Sequence, residues 1–141
     1  MGRNQVAQSK RAKGNAFQAW CVKYLEKQGW VCHNQLSVAK WIPFKQIWTS
    51  QRNDLFGALD ILAVNGESIL GIQATLHTGI GKKIADVGAI PWPYDKMRIE
   101  IWQKKGPRRI VIWKIDKWMG KPRATIIGEI INGKFVEKEE P

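Results

Sequence analysis

Apolar residues change their spacing several times along this chain, and each change marks an element. Over residues 15–28, Phe17, Trp20, Cys21, Tyr24 and Leu25 recur at i, i+3, i+4, i+7 and i+8, the spacing of one buried helical face. Asn15 is placed to cap this helix, Gln18 stands at the capping-box position, and Gly29 ends it. Residues 30–34 then read as a short strand. Two apolar runs, 58–64 (ALDILAV) and 69–75 (ILGIQAT), flank Asn65-Gly66-Glu67-Ser68, which is a hairpin signature. Ile80, Ile84 and Val87 return to helical spacing within 77–88. Met97, Ile99 and Ile101 alternate with Arg98, Glu100 and Trp102 as a half-buried strand. Residues 110–115 are its return strand, and 124–131 a last strand before the Asn132-Gly133 turn. Residues 35–57 predict a loop or short hairpin, because Pro43 excludes a central strand.

This order predicts an α/β fold with a central mixed sheet flanked by helices and an added C-terminal antiparallel hairpin region. The expected organisation is a basic arm (1–13), one domain (14–136) and a charged tail (137–141). The hairpin has two open registers. A Gly66-Glu67 loop sets Asp60 opposite Gln73; an Asn65-Gly66 loop sets it opposite Gly71. Strict alternation places Asp60, Gln73 and Thr75 on one face in both.

Charge adds a partner to this picture. The chain has 23 Lys and Arg against 12 Asp and Glu, a net charge of +11, so a polyanion such as nucleic acid is the expected partner. Between Lys104 and Arg123 stand eight basic residues and one acid, Asp116, with Trp113 and Trp118 among them. Phosphate contact by Lys104, Lys105, Arg108 and Arg109 with aromatic stacking suits that pattern; a solvated hairpin tip is the alternative. Trp41 and Trp48 read either as base-stacking residues or as satellite core. Cys21, Cys32 and His33 lack zinc-site spacing, and Cys21 reads as a buried thiol. No apolar run is long enough to span a membrane, and the expected location is the cytoplasm, the host's if the chain is phage-encoded.

The chemical candidate is Asp60, a carboxylate between Leu59 and Ile61. Such a position needs a reason: a salt bridge, an edge facing water, or a hard cation. Mg²⁺ or Mn²⁺ held by Asp60, the Gln73 amide oxygen, the Ala74 carbonyl and water is the functional reading. Asp54 orients water or is a turn residue, and His77 is a base or a surface histidine.

Four segments together resemble the PD-(D/E)XK nuclease superfamily, including archaeal Holliday-junction resolvases and small phage-associated nuclease-like proteins. They are the helix GNAFQAWCVKYLEKQGW, the segment DLFGALD ending at Asp60, the strand Ile72-Gln73-Ala74-Thr75, and the helix carrying Lys82 and Lys83. The resemblance implies a restriction-endonuclease-like core and metal-dependent cleavage of DNA, with branched or junction DNA as a substrate class. It makes Asp60 the metal-anchoring residue and sets Gln18 where relatives have a helix Glu. Gln73 and Thr75 stand where the family has its second acid and its Lys, so Lys82 or Lys83 is expected to supply the missing cation. A nuclease fold kept for binding alone is the alternative. Eight Trp in 141 residues also suggest a homodimer interface.

Overall fold

Phe17, Cys21 and Leu25 form the buried stripe of the first helix, as their spacing dictates. In the computed structural model, which describes residues 10–35, 38–51 and 55–138, this helix (α1) runs Lys10–Lys27. It starts before Asn15, because Lys10, Arg11, Ala12 and Lys13 are good helix formers and nothing in the run breaks it. Asn15 is therefore inside the helix rather than at its N-cap, and Gln18 is a mid-helix residue. Lys10–Lys13, expected in the arm, belong to α1. Gly29 ends the helix at φ 95°, and Trp30 N–H returns to Leu25 O at 3.1 Å.

Among the described residues nine strands follow: β1 Val31–Asn34, β2 Val38–Ile42, β3 Ile47–Gln51, β4 Ile61–Val64, β5 Ile69–Thr75, β6 Arg98–Lys104, β7 Arg109–Trp118, β8 Lys121–Ile131 and β9 Lys134–Glu137. The second helix, α2 Gly81–Gly88, lies between β5 and β6. β2 and β3 make a separate hairpin with Pro43 in its loop. The other seven strands form one sheet in the order β1-β4-β5-β6-β7-β8-β9. β5 and β6 are parallel, joined through α2, and every other neighbouring pair is antiparallel. The C-terminal hairpins thus extend the mixed sheet rather than standing apart from it. β9 was not foreseeable from its four exposed residues; it pairs because Asn132 (φ 51°) and Gly133 (φ 79°) both take the left-handed conformation of a tight hairpin turn.

The β4–β5 register is the one with Gly66-Glu67 as the loop: Ile61 pairs with Ile72 and Val64 with Ile69. Asn65 fixes it, its Oδ1 accepting from the N–H of Glu67 (3.0 Å) and Ser68 (2.8 Å).

Two cores sandwich the sheet. α1 packs on β1, β4 and β5, burying Phe17, Cys21 and Leu25 against Ile61, Ala63, Leu70, Ile72 and Trp102. α2 packs across β7 and β8, and on that side Val87 joins Leu59, Ile99, Ile101 and Ile115. Each such buried aliphatic side chain contributes about 1.5–3 kcal/mol.

Candidate functional site

The site is built where β4 begins. Leu59 and Ile61 are two residues apart and would share a face in a regular strand. They do not: Leu59 belongs to the α2-side core and Ile61 to the α1-side core. A Cβ on Gly71 would meet Leu59 Cδ1 at 2.5 Å and Ile99 Cδ1 at 3.2 Å, so Leu59 lies over Gly71 on the α2 face and position 71 has no room for a side chain. The alternation breaks at the residue between them, Asp60. Its N–H donates to Ile72 O at 2.8 Å, the carbonyl of the residue paired with Ile61. One extra residue on one strand is the signature of a bulge, and bulges re-aim side chains.

The bulge explains where the carboxylate goes. Asp60 is 2% exposed. Its Oδ2 accepts the Ala74 N–H at 2.8 Å, and its carbonyl accepts Gln35 N–H at 2.7 Å. Its charge is felt by Cys21 on α1: burial pushes that thiol far up, and Asp60 is the next largest cause. Asp60 therefore reads onto the α1 face.

Gln73 and Thr75 lie on the opposite face. In the parallel ladder they pair with Ile101 and Gln103, whose strand turns those positions toward α2. The Gln73 amide N–H donates to Ala58 O, and Thr75 Oγ1 accepts His77 N–H at 3.1 Å. The one-face expectation thus holds for Gln73 and Thr75 and fails for Asp60, because the bulge shifts the alternation by one. Ala74 meets Asp60 through its N–H, not through the carbonyl expected to bind metal. Lys82 (exposed) and Lys83 (half-buried) sit on α2, across the sheet from the Asp60 carboxylate. Asp54 lies outside the described residues.

Two further polar residues lie on the α1 side. Gln18 is 8% exposed, one turn from Cys21, and its Oε1 is buried without a hydrogen-bond partner. An orphaned amide oxygen costs about 1–3 kcal/mol, which a fold does not carry without cause. Lys104 ends β6 on the face of Trp102, and its charge pulls the Cys21 thiol back down. The Cys21 thiol therefore feels Asp60 and Lys104 with opposite signs. Beyond Lys104, the turn to β7 exposes Lys105 and Arg108. Arg109 in that turn is taken by a hydrogen-bonded ion pair with Glu129.

Sequence reasoning gave Gln18 its place through the resemblance, but its buried, unpaired oxygen has no sequence signal. It also missed two satisfied buried groups. Glu100 binds Arg98 Nη2 at 2.8 Å and Trp102 Nε1 at 2.9 Å. Gln103 donates to the carbonyls of His77 (2.9 Å) and Thr78 (2.8 Å) and accepts from Trp113 Nε1 at 3.1 Å.

A carboxylate and a neutral amide oxygen on one face are ligand types that Mg²⁺ accepts alongside water. Among the described residues, no group of three or more His, Cys, Asp and Glu is gathered as a closed metal cage.

No family model matches the sequence, and no curated protein matches it. Among solved structures, a Holliday junction resolvase (Hjc) from the archaeal hyperthermophile Archaeoglobus fulgidus is similar, at 15% identity and a TM-score of 0.49, over 89% of this chain and 91% of that chain.

Proposed function

We propose that this chain is a metal-dependent endonuclease that hydrolyses phosphodiester bonds in DNA, with branched or junction DNA as its substrate class. The observation that carries the reading is Asp60. A buried carboxylate at the head of an apolar strand is re-aimed by a bulge onto the face that also carries the orphaned amide oxygen of Gln18 and Lys104. The overall charge of +11 supports a DNA partner, and the segment resemblance supports the substrate class.

In this reading Asp60 and Gln18 hold Mg²⁺ or Mn²⁺. The bound ion supplies Lewis acidity and a more acidic bound water. Asp60 provides the anionic anchor, oriented by the Ala74 N–H. Lys104 provides the cation that Thr75 lacks and offsets charge on the phosphate. Lys105 and Arg108 hold the backbone. Exposed Ile131, Phe135 and Val136 beside and on the edge strand β9 suit a second copy of the chain.

A second reading, DNA binding without cleavage, is favoured by the β5 motif positions. Gln73 and Thr75 both spend their polar atoms inside the fold. One panel separates the two: duplex, flap, four-way junction and single-stranded DNA, with Mg²⁺ or Mn²⁺, for wild type and Asp60→Asn. Asn keeps an acceptor for Ala74 N–H and removes the charge. The nuclease reading expects cleavage that falls by about 100-fold or more in Asp60→Asn. Salt-sensitive binding with no cleavage of any substrate selects the second reading.

A further inference from the structure

α1 covers β1, β4 and β5, and beside it, toward the β6–β7 turn, opens a cavity of about 870 Å³. That lies in the upper part of the ~300–1,000 Å³ range of small-molecule sites. Its lining combines apolar Phe17 and Trp20, the cations Lys13, Lys104 and Arg108, and the amide of Asn132. Among the described residues, no carboxylate lines it.

Trp20 is held for a purpose the core does not explain. It is 37% exposed yet fixed: its ring stacks on Tyr24 at 5.5 Å and 13°. Tyr24 meets Trp102 edge-on at 6.0 Å, and Trp102 is itself locked by Glu100. An aromatic column therefore runs out of the core and ends at the cavity in a rigid indole. A preorganised ring loses little entropy when a flat partner lands on it. Stacking on a fixed aromatic with cations alongside is how proteins take bases from unpaired nucleic acid.

We propose that this cavity is a subsite for one unstacked nucleotide of single-stranded or branched DNA, its base laid on Trp20 and its flanking phosphates held by Lys13, Lys104 and Arg108. The inference rests on the reading of the chain as DNA-acting and adds where, and through which base contact, the strand is gripped. Lys104 lines the cavity and shares the α1 face with Asp60, so the subsite holds a nucleotide on the same face as the proposed metal site. Asn132 is the lining group able to hydrogen-bond a base edge.

The test is equilibrium binding of the full chain, by fluorescence anisotropy, to a short oligo-dT and to a blunt duplex of equal length. Trp20→Ala is expected to weaken oligo-dT binding roughly tenfold and duplex binding less than about twofold, and Trp20→Phe to retain most of the affinity. Trp20→Leu, which keeps bulk without a ring, should behave as Trp20→Ala and guards against a folding defect. In a second measurement, 2-aminopurine within the unpaired strand is quenched on binding wild type and not on binding Trp20→Leu. Equal loss on both DNAs, or loss on neither, overturns the subsite while leaving DNA binding intact. Competition by polyglutamate as effective as by oligo-dT, and indifferent to Trp20, overturns it in favour of an acidic-peptide site. Wild type that binds neither DNA overturns the function proposed above and the subsite with it.

Discussion

The two faces of the sheet treat their polar groups in opposite ways. On the α2 face, Gln73, Gln103, Trp92 and Trp113 all spend their side-chain polarity on the fold itself, tying residues 58 and 77–78 to the strands and the Trp92 loop to α2. On the α1 face, Glu100 is likewise paired, but the chain also buries the Asp60 carboxyl and an unpaired oxygen at Gln18, and leaves a cation-lined cavity on that side. The far face has its own orphan, Tyr94 Oη, but no buried carboxylate joins it in that core. A fully paired polar network rigidifies; an unpaired one near a cavity is available to a ligand. The α2 face is thus where this fold is fastened, and the α1 face is where the proposed DNA site lies.

The sharpest way to break this contrast is to cross stability with activity. Gln103→Leu removes the bonds to His77 O and Thr78 O and strands the Trp113 N–H. It should cost about 2–4 kcal/mol in urea unfolding, yet leave cleavage unchanged when assayed well below the transition. Gln18→Leu removes an unsatisfied buried oxygen. It should leave stability within about 1 kcal/mol of wild type or raise it, while metal-dependent cleavage falls on the order of 10–100-fold. If both variants lose stability and activity together, the division between the faces is wrong.

A smaller effect separates the lysines. Lys104→Gln removes a phosphate contact on the α1 side and should lower DNA affinity by about three- to tenfold. It should also flatten the salt dependence, log K against log salt, by about 0.9. Lys82→Gln, on α2, should change affinity less than about twofold. The reverse order would return the missing cation to α2, where the sequence motif placed it.

These contrasts show which parts of the molecule its sequence could carry. α1, the β4–β5 hairpin, α2 and the strands after it are legible because each buries one face, and burial leaves a period. The site is less legible because it lives in an exception to the period. Asp60 lies between Leu59 and Ile61, and the spacing alone assigns it to the face of Gln73. Only the packing of Leu59 over Gly71 reveals the bulge that turns it the other way. Gln18 was misread as a cap for a related reason: Asn15 mimics a helix start that the helix formers before it override. β9 was missed because an edge strand with every residue exposed has no face to announce.

The two thiols sharpen the contrast at close range. Cys21 lies in the α1-side core, its pKa raised by burial first and by Asp60 second; Cys32 is half-buried, raised by burial and by Glu26. Both pKa values are raised on folding. Their contribution to stability is therefore complete below the ordinary thiol pKa of ~8.5 and is lost as pH rises through the folded-state values. Alkylation at neutral pH should modify Cys32 slowly and Cys21 only on unfolding. Rapid modification of native Cys21 would mean that α1 does not seal against β4 and β5, and the burial of Asp60 would fall with it.

The least effect is expected at the far end of β7 and β8, away from the contrast. There Asp116 takes a forked pair of hydrogen bonds from Arg123, at 2.8 and 2.7 Å, and Arg123 lies over Trp118 at 5.0 Å. The Arg123 hydrogen bond holds the Asp116 carboxyl below the usual carboxylate range. A depressed carboxylate stabilises the fold above its unfolded-state pKa of ~3.9, and that contribution disappears as pH falls through the lower folded value. Arg123 is exposed and Asp116 half-buried, so water and salt screen the pair. Asp116→Asn should therefore lower the thermal midpoint only slightly at neutral pH, less so at high salt, and not at all in strong acid. It should leave cleavage untouched, because it frees Arg123 and Trp118 at a hairpin tip remote from Asp60. A loss of cleavage in this variant would show that the β7–β8 tip, and not the α1 face alone, takes part in holding DNA.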